Sequence, residues 1–347
     1  MRRLLTMVQD LMCDVTSCRV FAFVAAAIVT ALGFSSNAIA QSIQLGMPIA
    51  CEPGRTCYIQ NYTDVDPSAS AQDYKCGTLT YDSHNGTDFR LPSLASQKAG
   101  VEVLASASGR VLRTRDGAPD GAFSKSAREA VRDVECGNGA VVEHGEQWET
   151  QYCHMANGSL TVRPGDVVKA GQPLGRVGLS GLTEYPHLHF TVRHKGAIVD
   201  PFAYGAASDS CGGGAPLWHP AVHAQFTYQQ RTVINAGFAN GPVTMELVED
   251  GSAGKELPSA SAGAIVAFVR VIGLKTGDTQ RLVIKDPTGN VFAENRAAQL
   301  DKNKAQYLLF TGKKRPANGW DRGTYRATYV VERDGQVVLT KELEHNL

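Results

Sequence analysis

The stretch Glu184-Tyr-Pro-His-Leu-His-Phe-Thr-Val-Arg193 decides how the central part of this chain folds. Its Phe-Thr-Val run favours a β-strand, and Pro186 stands just before the paired histidines, where its missing N–H costs least. Side chains alternate between the two faces of a strand, so His187 and His189 share one face while Leu188 points to the other. The stretch therefore predicts a strand that presents two imidazoles together.

Two stretches upstream carry side chains of the same kind, His84-Asn-Gly-Thr-Asp88 and Tyr152-Cys-His154. A zinc ion in a hydrolase takes three protein ligands, drawn from histidine nitrogens and carboxylate oxygens, and leaves the fourth position to water. His84, Asp88 and one histidine of the 187/189 pair form such a set. A histidine or aspartate alone is more often a surface residue, but their joint occurrence favours a metal site.

Length and charge limit the class of protein. The 347 residues suffice for two domains, each with its own core. Lys and Arg number 34, and so do Asp and Glu. This balance indicates neither nucleic acid nor an anionic membrane surface as a partner.

The N-terminus predicts export. Arg2 and Arg3 precede an apolar run, Phe21 to Phe34, and Ala38-Ile-Ala40 offers a small-x-small cleavage site. The alternative is an uncleaved membrane anchor, but the run is shorter than the roughly 20 residues that a spanning helix needs. Residues 1–40 are therefore predicted to be a signal peptide cleaved near Ala40.

Cleavage would remove Cys13 and Cys18 and leave six of the eight cysteines. An even number in an exported chain indicates up to three disulfides, although about 15 pairings are open. Cys51 and Cys57 bracket Glu-Pro-Gly-Arg-Thr, a tight turn that a local bridge would close. The alternative is a cysteine-rich zinc site, but the C-x2-C spacing typical of such sites does not occur.

The other four cysteines suggest two more pairs. Cys136 and Cys153 flank a predicted hairpin, which makes them good cross-strand partners. By elimination Cys76 would pair with Cys211 and tie the two ends of the first domain together.

The pattern along the chain predicts an all-β protein with two domains. Short strands separated by Gly-rich turns run from Cys76 to about Phe202, with one possible helix at Ser124–Val134, and Ser208 to Pro216 forms a Gly-rich break. The C-terminal region predicts a β-sandwich of immunoglobulin-like type. Its seven expected strands are Ala221–Gln229, Thr244–Val248, Ile265–Val271, Gln280–Lys285, Tyr307–Thr311, Thr324–Glu332 and Gln336–Leu343. The predicted divisions are a signal peptide (1–40), a lead-in (41–75), a first domain (76–207), a linker (208–218) and a C-terminal sandwich (219–347).

Four blocks in order resemble the lysostaphin-type zinc metallopeptidases, which cut peptide cross-links in bacterial peptidoglycan. The resemblance covers about residues 76–203 and does not extend to the C-terminal region. It implies the duplicated hybrid motif fold for the first domain. The blocks are His84-Asn-Gly-Thr-Asp-Phe-Arg-Leu-Pro92, Tyr152-Cys-His-Met155, the turn Pro164–Gly175, and Tyr185-Pro-His-Leu-His-Phe190 with Val199-Asp-Pro201 following.

The resemblance also implies roles for individual residues. His84, Asp88 and His189 become the zinc ligands, and His154 and His187 the catalytic pair. Water activated by zinc would attack the amide, with His187 as general base and His154 stabilising the oxyanion. The roles of these two histidines are open to exchange, because sequence does not orient rings.

We therefore expect an exported zinc metalloendopeptidase of the Gram-negative periplasm that acts on peptidoglycan peptide stems, with Zn²⁺ as cofactor. A D-alanyl–diaminopimelyl cross-link is the bond that this habitat suggests. One alternative is a non-catalytic envelope adaptor that activates a cell-wall amidase; another is a binding module whose sandwich captures an envelope protein. Sequence leaves the oligomeric state open.

Overall fold

The computed structural model describes residues 42–121, 131–207 and 211–347, and residues 42–347 belong to one compact unit. The predicted signal peptide (1–40) lies outside the described residues, as does all but the end of the helix expected at Ser124–Val134. Among the described residues, no helix is both long and apolar enough to cross a membrane.

The first part of the chain is built on an eight-stranded sheet with the order β1-β2-β9-β6-β5-β4-β7, in which β10 also pairs with β9. A separate two-stranded sheet pairs β3 with β8. One short helix, α1 (Leu94–Lys98), follows β2. The strands are β1 (Tyr58–Asn61), β2 (Thr87–Arg90), β3 (Glu102–Leu104), β4 (Gly109–Arg115), β5 (Asn138–Glu143), β6 (Trp148–Met155), β7 (Val167–Val168), β8 (Pro173–Arg176), β9 (His187–His194) and β10 (Ala197–Val199).

The central strand β9 confirms the alternation expected from its sequence. Leu188 and Phe190 are fully buried in the core of this part of the chain, on the face opposite to the two histidines. Burying two large apolar side chains fixes the register, because a slip by one residue would turn the histidines into the core. The strand therefore holds His187 and His189 on the other face of the sheet.

The core of the first part also includes residues from segments outside the predicted first domain (76–207). Leu45 and Ile49 of the predicted lead-in are fully buried there, and Leu45 pairs with Trp218 in an isolated bridge. Leu217 and Trp218, which belong to the predicted linker, are buried in the same core. Apolar side chains at both ends thus extend the packing of this core beyond residues 76–207; residues 208–210 of the linker lie outside the described residues.

The three disulfides expected from the sequence are all present. Cys51 bonds to Cys57, Cys136 to Cys153, and Cys76 to Cys211. The second of these joins β6 to the segment before β5, beside His154. The third closes a loop with a sequence separation of 135 residues, and all five predicted site residues lie within it.

The C-terminal part forms two packed sheets with the orders β11-β12-β15 and β14-β13-β16-β17, which confirms the β-sandwich. Side chains from both sheets, including Val269 and Tyr329, share one core. Its strands are β11 (Thr232–Ala239), β12 (Ala264–Leu274), β13 (Thr279–Lys285), β14 (Val291–Arg296), β15 (Lys304–Lys314), β16 (Thr324–Arg333) and β17 (Gln336–Asn346).

Seven strands occur between residues 211 and 347, but two of the predicted ones were wrong. The stretch expected as a strand at Ala221–Gln229 begins with a short helix, α2 (Pro220–His223), and contains no strand. The stretch at Thr244–Val248 contains another helix, α3 (Met245–Glu249), because the Thr244 side chain caps its N-terminus. Strands β11 and β14 were not predicted, and with them the number of strands is again seven.

Candidate metal centre

The pairing of β2 with β9 brings together side chains that lie about a hundred residues apart in sequence. Asp88 stands directly opposite His189, and Arg90 opposite His187. Residues opposite each other in an antiparallel pair project from the same face of the sheet. The carboxylate of Asp88 therefore shares a face with both histidines of β9.

Three donor atoms converge on this face. Asp88 Oδ1 lies 2.8 Å from His189 Nδ1 and 3.2 Å from His84 Nε2, and the two ring nitrogens are 3.3 Å apart. Four ligands arranged tetrahedrally about 2.1 Å from a zinc ion stand roughly 3.4 Å from one another. Two nitrogens and one carboxylate oxygen at these separations fit a zinc ion.

The remaining ring nitrogens of the two histidines are engaged in ways that orient the rings. His84 Nδ1–H donates to the Tyr62 carbonyl at 2.7 Å, which leaves Nε2 with its lone pair toward the cluster. His189 Nε2–H donates to Asn85 Oδ1 at 2.8 Å, which leaves Nδ1 free. Such outer hydrogen bonds fix both the tautomer and the orientation of metal-binding imidazoles.

The carboxylate is held in a similar way. Asn61 Nδ2 donates to Asp88 Oδ2 at 2.9 Å, so that Oδ1 is the oxygen turned toward the histidines. Burial by itself would raise the pKa of the Asp88 carboxyl. The neighbouring imidazoles, chiefly those of His84 and His187, outweigh burial and hold this pKa well below its usual value. Asp88 is therefore ionised, as a metal ligand must be.

The other two histidines adjoin this cluster. The rings of His154 and His187 have centroids 4.6 Å apart, and His187 Nε2 lies 3.4 Å from Asp88 Oδ1. His187 Nδ1–H donates to the Tyr185 carbonyl at 2.9 Å, and His154 Nδ1–H donates to the Ser180 carbonyl at 2.9 Å. Both rings thus keep Nε2 available for hydrogen bonding or proton transfer.

Burial sets the protonation of the neighbouring rings. It lowers the pKa of His189, and it lowers that of His154 well below the usual value of 6.5, with the nearby His187 and His189 adding to the effect on His154. Both imidazoles are therefore neutral at pH 7. A neutral ring has the free nitrogen lone pair that a ligand or a base requires.

A β-bulge places His154 on this face of the sheet. Between β5 and β6 the register shifts from Ala140 opposite Tyr152 to Asn138 opposite Met155, so that Gly139 faces two residues. Strict alternation would put His154 on the core face with Tyr152. The bulge and a left-handed backbone at His154, with a φ of 62°, turn its imidazole toward His187 instead.

Gly86 lies between the first two predicted ligands and allows their close approach to β9. A Cβ atom at this position would stand 2.6 Å from the Phe190 carbonyl oxygen and 2.7 Å from His189 Nε2. Distances this short are steric overlaps. Glycine is therefore needed here for space.

Two cavities lie side by side over the cluster. One of about 580 Å³ is lined by Asp88 and His187, among other residues, and the other, of about 300 Å³, by His84. Both are lined by His154 and His189. The five predicted site residues thus line two adjoining cavities.

The sequence of this region matches the model of peptidase family M23 over residues 82–201. The chain carries an M23 peptidase domain. The matched range contains all five predicted site residues. The lysostaphin-type resemblance is thereby confirmed, whereas the role of each residue stays a prediction.

Individual relatives align with about a third of this chain. Peptidoglycan DD-endopeptidase ShyB of Vibrio cholerae is 31% identical over 117 residues, which is 34% of this chain and 22% of that protein. Murein hydrolase activator NlpD of Escherichia coli is 31% identical over 105 residues, which is 30% of this chain and 25% of that protein. The chain thus spans about a quarter or less of the length of these curated relatives.

A solved structure with a similar fold is the catalytic domain of the prophage-encoded M23 protein EnpA from Enterococcus faecalis. It is 23% identical, with a TM-score of 0.31, and the match covers 48% of this chain and 98% of that domain.

Several residues that orient the M23 site were not singled out from the sequence. Asn61 holds the Asp88 carboxylate, Asn85 accepts from His189, and the Tyr62 carbonyl accepts from His84. Thr183 Oγ1 lies 3.0 Å from His187 Nδ1. Asn85 lies inside the quoted motif and Thr183 just before the H-x-H strand, so proximity in sequence could have indicated their roles. Nothing in the sequence around Asn61 and Tyr62 indicates a role at this site.

Proposed function

We propose that this protein is an exported zinc metalloendopeptidase that hydrolyses peptide cross-links of peptidoglycan. The observation that carries the proposal is the convergence of His84, Asp88 and His189, with all three donor atoms within 4.8 Å, beside two histidines with free Nε2 atoms. The name of the relative ShyB, a peptidoglycan DD-endopeptidase, supports peptidoglycan as the substrate.

The chain's own residues supply the rest of the chemistry in this proposal. Zinc, when bound by His84, Asp88 and His189, would lower the pKa of a water molecule and polarise the scissile carbonyl. His187 Nε2 takes the proton of the attacking water, while the Tyr185 carbonyl holds the other side of the ring. His154 is neutral at rest, with Nδ1–H donating to the Ser180 carbonyl. As the oxyanion forms, His154 Nε2 takes up a proton from solvent, and the resulting imidazolium stabilises the oxyanion. The same geometry supports the reverse assignment, with His154 as the base and His187 as the oxyanion stabiliser.

The experiment uses the purified full-length chain on isolated sacculi, followed by mass spectrometry of the products. We expect release of cleaved peptide dimers in the presence of zinc and none after treatment with a chelator. His189→Ala is expected to lose both bound zinc and activity. The exposed His223, which lies far from the cluster in sequence, provides the matched control, and His223→Ala should retain both.

The alternative is a non-catalytic adaptor that activates a cell-wall amidase. The name of a relative of similar identity, murein hydrolase activator NlpD, supports it. The full set of predicted site residues favours the enzyme. An adaptor would release no peptide from sacculi with or without zinc, yet it would raise the activity of an added amidase, and His189→Ala would not alter that effect.

Periplasmic location is part of the same proposal, with cleavage of the signal peptide near Ala40. Its support is the sequence pattern of residues 1–40. Cell fractionation with N-terminal sequencing of the mature chain tests it. A cytoplasmic chain that keeps residues 1–40 would contradict it.

A further inference from the structure

The larger cavity over the M23 site has a wall made by the C-terminal sandwich. Asp88, His154, His187 and His189 line one side of it. The end of β12 and the start of β15, with the residue before β15, line the other, through Gly273, Leu274, Asn303, Lys304 and Ala305. Substrate in this cavity would contact both parts of the chain.

Hydrogen bonds hold this wall in a fixed position. Gln60 Nε2 donates to the Ala305 carbonyl at 2.9 Å, and Gln60 Oε1 accepts from Arg90 Nη1 at the same distance. Arg90 Nη2 donates to Gln306 Oε1 at 2.9 Å and to Glu249 Oε2 at 3.1 Å. The M23 domain and the sandwich are therefore joined next to the wall.

The same contact between the two parts of the chain involves the strand that carries a predicted metal ligand. Arg90 is fully buried and lies two residues after Asp88, so both side chains project from one face of β2. Its guanidinium lies 4.0 Å from the ring centre of Tyr185, whose hydroxyl is 3.4 Å from Asn61 Nδ2. One strand thus positions both a predicted zinc ligand and the contact that fixes the wall.

Lys304 gives the wall a positive charge. Among the described residues that line this cavity, it is the one lysine or arginine. Its side chain is 28% exposed, and its carboxylate neighbour, Asp301 at 3.6 Å, is 81% exposed. An ion pair with so exposed a partner is weak, which leaves the ammonium group available to a ligand.

We infer that Lys304 binds a carboxylate of the peptide substrate, so that the C-terminal sandwich is part of the substrate site. This inference rests on the proposed function. In a D-alanyl–diaminopimelyl cross-link, the carbon attached to the amide nitrogen also bears a free carboxylate. A lysine in the wall of the cleft is suited to recognise such a group, because hydrogen bonds between ionised partners are stronger than neutral ones.

The test compares two substrates and two pairs of variants in the full-length chain. The substrates are purified cross-linked muropeptide dimers with free carboxylates and the same dimers after conversion of the carboxylates to amides. The variants are Lys304→Ala and Lys304→Glu. The controls are Lys314→Ala and Lys314→Glu, because Lys314 is an exposed lysine at the other end of the same strand.

With free carboxylates, Lys304→Ala should lower kcat/KM about tenfold, mainly through KM, and Lys304→Glu should lower it further. Amidation of the dimers should lower kcat/KM of the wild type by a similar factor and should leave kcat/KM of the Lys304→Ala variant unchanged. Lys314 variants should behave as the wild type on both substrates. Zinc content should not change in any variant.

Two results would overturn the inference and leave the proposed function intact. One is a Lys304→Ala variant that cleaves free dimers as well as the wild type does. The other is a variant with lower activity that keeps the wild-type ratio between free and amidated dimers. A wild-type protein that binds zinc and cleaves neither substrate would instead refute the proposed function.

Discussion

Asp88 and His189 face each other across the β2–β9 pair, with Oδ1 and Nδ1 2.8 Å apart, although 101 residues separate them in sequence. The register of the two strands produces this contact. Phe89 and Leu188 form the next pair along the two strands. Both are buried in the core, and their packing fixes the register. The predicted metal centre is thus positioned by apolar packing behind it.

Removal of either predicted catalytic histidine should separate metal binding from turnover. In His154→Ala and His187→Ala we expect zinc content to be retained, because neither ring belongs to the predicted ligand set of His84, Asp88 and His189, and kcat to fall about 10²- to 10⁴-fold. Metal analysis and cleavage assays on the same preparations check this. Loss of zinc in both variants would mean that the assignment of ligands is wrong.

Gly86→Ala should damage the metal centre without removal of any ligand. The added Cβ would overlap the Phe190 carbonyl and the His189 ring, so His189 must shift. Displaced outer contacts of metal-binding histidines lower metal affinity by about 10- to 100-fold. A zinc titration against a chromophoric chelator measures this change. Gly241→Ala is the control, since a Cβ at that position meets no atom within 4 Å.

Asp200 should make the stability of the fold depend on pH. The side chain is 7% exposed, its Oδ1 accepts from the Phe202 N–H, and Oδ2 has no hydrogen-bond partner. Burial raises the pKa of this carboxyl from 3.8 to about 7. The folded state therefore binds more protons than the unfolded state between about pH 4 and pH 7, and stability falls as the pH rises through this window.

Asp200→Asn removes this ionisation and keeps an oxygen that accepts from the Phe202 N–H. We expect a higher Tm than that of the wild type at pH 8 and a difference that disappears toward pH 4. Thermal unfolding across this range checks the prediction, with Asp334→Asn as control because Asp334 is 90% exposed. Equal pH profiles for wild type and Asp200→Asn would contradict it.

Glu249 should be essential to the join between the M23 domain and the sandwich. Its carboxylate pairs with both Arg90 and Arg270, and both guanidinium groups are fully buried. Loss of the shared carboxylate leaves two buried cations without a counter-charge, which costs about 3–5 kcal/mol. Urea unfolding of Glu249→Ala measures this loss. The exposed Glu246 in the same helix is the control, and Glu246→Ala should change stability by less than about 0.5 kcal/mol.

The sequence predicted the parts of the site that follow from local periodicity. The pairing of His187 with His189 requires only the two-residue repeat of a strand. The orientation of His154 does not follow from this repeat, which would place His154 on the core face with Tyr152. A bulge opposite Gly139 corrects this, and a bulge depends on the partner strand, which single-strand periodicity does not contain.

The two wrong strands in the C-terminal part have a similar origin. The Thr244–Val248 stretch contains alternating apolar residues, yet the Thr244 hydroxyl accepts from the Leu247 N–H and begins a helical turn. The wall around Lys304 was also not predicted, because the contact of Gln60 with Ala305 joins residues 245 positions apart. Long-range contacts of this kind depend on the whole fold.

The bond between Cys76 and Cys211 makes a covalent ring of the chain segment that bears the five predicted site residues. If a protease cuts this ring once, the two pieces remain one molecule, and the histidines and the aspartate stay tethered to each other. Release of a fragment then requires either a second cut or a reductant. In an oxidising compartment the predicted site is thereby protected against the loss of some of its residues after a single cut.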